Sequence, residues 1–107
     1  MKQLHTPTEV KNAMQQNKPA VLAWSAAWCP DCVYLKTFID KIVADNPEFD
    51  FYMLDRDELL DLAIEQEILG IPSFTVFKDS REIGRYVSKD RKTPEQIQAF
   101  LNTCKEA

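Results

Sequence analysis

Two cysteines separated by two residues, Cys29 and Cys32, have the types and the spacing best suited to chemistry in this chain. They belong to the pentapeptide Trp-Cys-Pro-Asp-Cys at positions 28–32, which follows an apolar run at 20–24 and precedes a stretch with helical spacing at 33–39. This order predicts that the thiols lie where a strand meets a helix, one helical turn apart and able to form a disulfide. Unpaired backbone N–H groups and the positive end of the helix dipole favour a thiolate at the first cysteine. We therefore interpret the pair as a reversible dithiol.

The same pair has two simpler interpretations, metal binding and chemical inertness. One Cys-X-X-Cys motif supplies two zinc ligands, whereas a structural zinc site needs four. The single histidine, His5, and the third cysteine, Cys104, are both far away in sequence. We favour redox chemistry, expect no metal, and keep the other two interpretations as alternatives. Cys104 is expected to be a small, partly buried residue of the last helix.

The composition is that of one soluble domain covering residues 1–107, with 45% hydrophobic residues and a formal net charge of -4. Acidic and basic residues are interleaved, which argues against nucleic acid as a partner. Residues 1–7 lack the apolar core of a signal peptide, and no apolar run approaches the roughly 20 residues that span a bilayer. We therefore expect a cytoplasmic protein with no membrane partner. Structural disulfides are rare in that compartment, so the cysteine pair is expected to be catalytic or metal-binding.

Helices are predicted from capping residues, apolar spacing and stop signals. We expect a helix capped by Thr6 or Thr8 and reaching about Asn17, a long one from Pro30 until Asn46-Pro47, one capped by Asp57 and closed by a left-handed Gly70, and a last one opened by a capping box at 93–96.

Strands are predicted at 20–25, 49–54, 73–78 and 82–87, and the short connection 79–81 makes the last two a hairpin. The resulting order is β-α-β-α-β-α-β-β-α, an α/β fold with a mixed central sheet and helices on both faces. Sites in such folds lie at the carboxyl ends of parallel strands, and Cys29 follows one of these ends directly.

The chain resembles the thioredoxin family over nearly its whole length. The pentapeptide at 28–32, the segment Gly-Ile-Pro-Ser at 70–73, and the hairpin followed by a terminal helix match that family in order and approximate spacing. The pentapeptide together with Ile-Pro-Ser-Phe at 71–74 looks most like the short thioredoxin-like proteins of Gram-positive bacteria that carry Trp-Cys-Pro-Asp-Cys. A more distant similarity is to the thioredoxin-related reductases of the eukaryotic cytosol.

This resemblance implies a thioredoxin-like fold and a role for each matching residue. Cys29 would be the nucleophile, Cys32 the resolving thiol, and Pro72 a cis-proline facing them. The residues implied in a substrate groove are Trp28, Pro30, Ile71 and Pro72.

Five positions depart from the typical family pattern, and two of them are Pro30 and Asp31, which stand where typical members have Gly-Pro. Ala23 and Phe51 replace a buried Asp and a Lys that assist proton transfer, and Ser88 replaces a glycine of the groove. Asp31 directly precedes the second cysteine, and its charge disfavours a second anion at Cys32. We hypothesise that Asp31 accepts the proton of Cys32, directly or through water.

The implied function is a cytosolic thiol–disulfide oxidoreductase that reduces protein disulfides or low-molecular-weight mixed disulfides. Electrons would come from a thioredoxin reductase or a low-molecular-weight thiol, and we expect no bound cofactor because the chain has no Gly-rich phosphate loop. We also expect a monomer. The alternatives are a thioredoxin-fold adaptor with idle thiols and a more oxidising, isomerase-like enzyme. The charged segment 89–92 is expected to be solvated.

Overall fold

Strands and helices alternate along the chain in a computed structural model that describes residues 1–106. The strands are β1 (Lys2–Leu4), β2 (Ala20–Ser25), β3 (Asp50–Asp55), β4 (Ser73–Lys78) and β5 (Arg81–Tyr86). The helices are α1 (Pro7–Gln15), α2 (Pro30–Lys36), α3 (Ile39–Asp45), α4 (Leu60–Glu65) and α5 (Pro94–Cys104). The predicted order of elements is confirmed, except that the second helix is split into α2 and α3. The first strand of the predicted order, for which no residue range was predicted, is β1.

The strands form one mixed sheet in the order β1-β3-β2-β4-β5. β2 lies at its centre, parallel to β3 on one side and antiparallel to β4 on the other. All six residues of β2 are buried, because helices cover both faces. Alternate β2 residues enter two separate apolar clusters, one packed on α1 and α4 and one packed on α3 and α5. The mixed sheet with helices on both faces is therefore as predicted.

The prediction of one long helix between Pro30 and Asn46 is wrong, because α2 and α3 are separate. The break lies at Phe38, whose φ of -137° and ψ of -5° are not helical. Just before it, the Thr37 hydroxyl donates to the carbonyl of Tyr34 at 2.7 Å, and the Phe38 N–H donates to that of Leu35, three residues back. The last turn of α2 is thereby tightened and ended.

Two further predictions about helix ends are wrong. Asp57 does not cap a helix: α4 begins three residues later without a side-chain cap, and the Asp57 N–H donates to the Asp55 carboxylate at 2.8 Å. Gly70 does not close α4 in a left-handed conformation, because the helix ends at Glu65 and the positive φ, 56°, belongs to Glu67. Glycine is needed at 70 for space instead. An added Cβ would overlap the backbone N of Lys89 and lie 2.5 Å from the carbonyl carbon of Ser88.

Local hydrogen bonds confirm the other helix starts. Thr6 and Thr93 each form a complete capping box with the residue three positions later, so Thr6 rather than Thr8 caps α1. The β4–β5 hairpin turns through Asp79 and Ser80, whose φ values of 52° and 68° fit a two-residue type I′ turn.

Candidate functional site

The two thiols of the pentapeptide lie at the junction predicted from the sequence. β2 ends at Ser25, and Cys29 is the N-cap of α2. The Cys29 Sγ accepts a hydrogen bond from the Cys32 backbone N–H at 3.2 Å. The same N–H also donates to the Cys29 carbonyl at 3.1 Å, so it is shared between that carbonyl and the sulfur, and such a donor stabilises negative charge on the sulfur. A backbone donor at the start of α2 thus faces the Cys29 sulfur.

Cys32 is in a different environment although it is only one turn away. Its side chain is fully buried, and Cys29 keeps 4% of its surface exposed. Burial, followed by the hydrogen bond and charge of Cys29 and the charge of Asp31, raises the pKa of Cys32 to about 12. Cys32 is therefore held as a neutral thiol, and Cys29 is the one of the two thiols that keeps some exposed surface.

The segment that precedes β4 lies against the reactive pair. Its Ile71–Pro72 peptide bond is cis, as the resemblance implied. The Cys29 thiol donates to the Ile71 carbonyl at an Sγ–O distance of 3.9 Å, so the backbone before the proline borders the sulfur. The Ser73 hydroxyl donates to the Gly70 carbonyl at 2.6 Å and accepts from the Ser88 N–H at 3.2 Å. These bonds fix both sides of the cis bond.

Trp28 forms the exposed side of the site, with 62% of its surface accessible. Its indole N–H donates to the Asp57 carboxylate at 2.6 Å, and the Arg56 guanidinium lies 5.6 Å from the ring centre. The indole hydrogen bond, with a smaller contribution from Arg56, holds the pKa of Asp57 below its ordinary value. Pro30 is exposed beside it. Both groove residues named from the pentapeptide are therefore open to a partner.

The charged segment 89–92 is not simply solvated, which corrects the sequence interpretation. Lys92 is only 1% exposed. Arg91 donates from Nε to the Asp31 carboxylate at 2.8 Å, and its guanidinium lies 4.2 Å from the centre of the Tyr34 ring. Sequence spacing held no signal for this contact, because Arg91 and Asp31 are sixty residues apart.

The two positions where typical thioredoxins carry a buried Asp and a Lys are occupied here by apolar residues. Ala23 and Phe51 are both buried in the cluster on the α3 and α5 face of the sheet. Cys104 lies in the same cluster, and burial raises its pKa.

His5 pairs at the surface with Glu58, at 3.0 Å. Within residues 1–106, no three His, Cys, Asp or Glu side chains are grouped so as to hold a metal ion, and no helix is long and apolar enough to cross a membrane.

Comparisons with known proteins agree with this geometry. The family model described as Thioredoxin matches residues 2–103. Thioredoxin-1 of Saccharomyces cerevisiae is 35% identical over 85 residues, which cover 79% of this chain and 82% of that protein. Thioredoxin of Homo sapiens is 27% identical over 104 residues, which cover 95% and 96% of the two chains. The crystal structure of oxidised mitochondrial thioredoxin 3 from Saccharomyces cerevisiae superposes with a TM-score of 0.81 at 27% identity, covering 100% of this chain and 95% of that one.

Proposed function

This chain belongs to the thioredoxin family, whose members are thiol–disulfide oxidoreductases, and we propose that it works as a reductase of protein disulfides or low-molecular-weight mixed disulfides in the cytoplasm. The observation that carries the proposal is the asymmetry of the two thiols. Cys29 accepts a hydrogen bond from a backbone N–H and keeps 4% of its surface exposed, whereas Cys32 is fully buried and has a pKa of about 12. Cys29 is thus suited to attack the substrate disulfide, and Cys32 is suited to remain protonated until the mixed disulfide is resolved.

The proposed reaction has two exchange steps. In the first, the Cys29 thiolate attacks one sulfur of the substrate disulfide, the substrate S–S bond breaks, and the other substrate sulfur leaves as a thiolate that takes up a proton. In the second, Cys32 loses its proton and attacks the Cys29 Sγ. The mixed disulfide breaks, the second substrate thiol leaves, and the protein is left with a Cys29–Cys32 disulfide. Two electrons have then passed from the protein to the substrate.

Asp31 is the proposed proton acceptor of the second step. It directly precedes Cys32, and its charge already contributes to the raised pKa of that thiol. One of its oxygens accepts from Arg91, so the other would receive the proton, directly or through water. Asp31→Asn should slow resolution of the mixed disulfide. Unchanged resolution in that variant would remove Asp31 from the mechanism.

The groove around the thiols is the proposed substrate site. An extended substrate segment would lie along Ile71 and Pro72, with Trp28 and Pro30 on the opposite side, because these groups border Cys29 and two of them are exposed. Family members act on disulfide substrates with thioredoxin reductase as reductant. We propose that reductase, or a low-molecular-weight thiol, as the electron donor here, and a monomer as the working form.

The first test is reduction of insulin disulfides with dithiothreitol as the electron source. We expect activity in the parent chain, its loss in Cys29→Ser, and its retention in Cys104→Ser, the matched control for removing a thiol. Cys32→Ser should accumulate covalent complexes through Cys29 that dithiothreitol releases. An inactive parent chain with no trapped complexes would favour the adaptor alternative.

The direction of the reaction is tested separately by the equilibrium potential of the Cys29–Cys32 pair. A reduction potential of about -230 to -270 mV supports a reductase, and one of about -120 to -180 mV supports the oxidising, isomerase-like alternative.

A further inference from the structure

A buried cation, Lys92, lies in the segment that contacts Asp31, between the two cysteines, and Ser73, directly after the cis-proline. The Lys92 ammonium donates to the Ser88 carbonyl at 3.0 Å, to the Ser88 hydroxyl at 3.0 Å and to the Asp90 carbonyl at 2.7 Å. An ammonium group has three donors, and all three are used here. Each acceptor is a neutral oxygen, so the hydrogen bonds satisfy the group without cancelling its charge. The side chain is nevertheless only 1% exposed.

Enclosing a charge in this way costs free energy unless opposite charges are within reach. Burial lowers the pKa of Lys92, and four groups oppose the shift: Asp90 first, then Cys32, Asp31 and Cys29. Two of these four are negative only when a thiol has ionised. Asp90 has the largest of these effects, and Cys32 has the larger effect of the two thiols.

The segment 88–92, which we name the cationic loop, is tied down on both sides. On one side the Ser88 N–H donates to Ser73, directly after the cis-proline. On the other side Arg91 pairs with Asp31 and stacks on Tyr34 of α2. The Arg91 pair also offsets the one carboxylate whose charge opposes ionisation of Cys32. The Lys92 charge is thus held in place by contacts to the elements that carry the site.

We propose that Lys92 is an electrostatic positioning residue that favours the Cys32 thiolate during the second exchange step, an inference that rests on the function proposed above. Cys32 gives up its proton, its thiolate attacks the Cys29 Sγ, and the bond from Cys29 to the substrate sulfur breaks. Lys92 keeps its own protons throughout. The titratable and charged groups around these two residues are Cys29 and Asp31 from the pentapeptide, Asp90 and Arg91 from the cationic loop, and Tyr86 of β5, whose ring centre lies 5.2 Å from the ammonium.

The test separates the two steps with 4,4′-dithiodipyridine, a neutral disulfide that releases a coloured thiopyridone at each step. Stopped-flow absorbance then shows attack by Cys29 as one phase and displacement by Cys32 as the next. All proteins carry Cys104→Ser, so that the third thiol does not contribute. Lys92→Met removes the buried charge, and Lys89→Met is the matched control, because Lys89 is an exposed residue of the same loop.

We expect the second phase of Lys92→Met to be about 3- to 10-fold slower at pH 7, since the loss of a nearby opposite charge disfavours a thiolate. Its pH profile should also move to higher pH, which a merely loosened loop would not cause. The first phase should change less, and Lys89→Met should match the parent in both phases. A second phase within twofold of the parent, with an unmoved pH profile, would overturn the proposal.

Lys92→Gln decides the question if Lys92→Met does not fold, because glutamine removes the charge and keeps two of the three hydrogen-bond donors. The same slower, displaced second phase is expected, and its absence counts against the proposal. Failure of the proposed function would be seen differently: the parent itself would then lack a second phase.

Discussion

Raising the pH should destabilise the reduced protein through Cys32. The pKa of this thiol is raised from 9.0 to about 12, mainly because its side chain is fully buried. In the unfolded chain the thiol ionises near its ordinary pKa, whereas in the folded chain it stays protonated over the next three pH units. The stabilising contribution is therefore complete below pH 9 and is lost as the pH rises towards 12.

The size of the effect follows from that linkage. At pH 10 the unfolded thiol is one pH unit above its pKa of 9.0, and the folded one is still neutral. Between pH 7 and pH 10 the ionisation of Cys32 should thus lower the free energy of unfolding by about 1.4 kcal/mol. Asp31 and Cys29 contribute to the shift, so replacing either one should lower the pH at which the loss of stability ends.

Urea unfolding at pH 7 and pH 10, with a phosphine reductant present, measures the loss. Cys32→Ala is the comparator, because it keeps Cys104 and every lysine and tyrosine that titrates in the same range. We expect the parent to lose about 1.4 kcal/mol more than this variant over the interval. Equal losses in the two proteins would refute the assignment of the shift to burial of Cys32.

Two further predictions concern the segments around the thiols. Gly70→Ala places a Cβ against the backbone of the cationic loop and should lower the free energy of unfolding by about 1–3 kcal/mol in chemical denaturation, whereas Leu69→Ala, at an 87% exposed neighbouring position, should change little. A Gly70→Ala variant as stable as Leu69→Ala would show that the backbone of the cationic loop moves away from the added Cβ without a loss of folding free energy. The hydrogen bond from Trp28 to Asp57 is present above the lowered pKa of that carboxyl and is lost as the pH falls through it, so tryptophan fluorescence should show a transition below pH 3.8. Asp57→Asn should lack that transition, and its persistence there would assign it to another group.

Signals that lie within a few residues of each other were sufficient to predict much of this protein. The capping box predicted at Thr93 is made by residues three positions apart and is confirmed, as is a threonine cap on the first helix, where Thr6 is the cap. The position of Cys29 at a strand–helix junction follows in the same way from an apolar run and a helical pattern. The break at Phe38 was missed because buried apolar residues, Leu35 and Ile39, continue the helical spacing across it.

The sequence by itself therefore determined the order of the elements and the position of the reactive thiols, because hydrogen bonds between near neighbours and apolar periodicity specify local structure. Only the tertiary structure decided the electrostatics of the site. Whether Asp31 is free or paired depends on Arg91, sixty residues away, and whether Lys92 is solvated or buried depends on Ser88 being held by Ser73. Burial and charge compensation arise when elements distant in sequence pack together, and no local pattern of residue types records them.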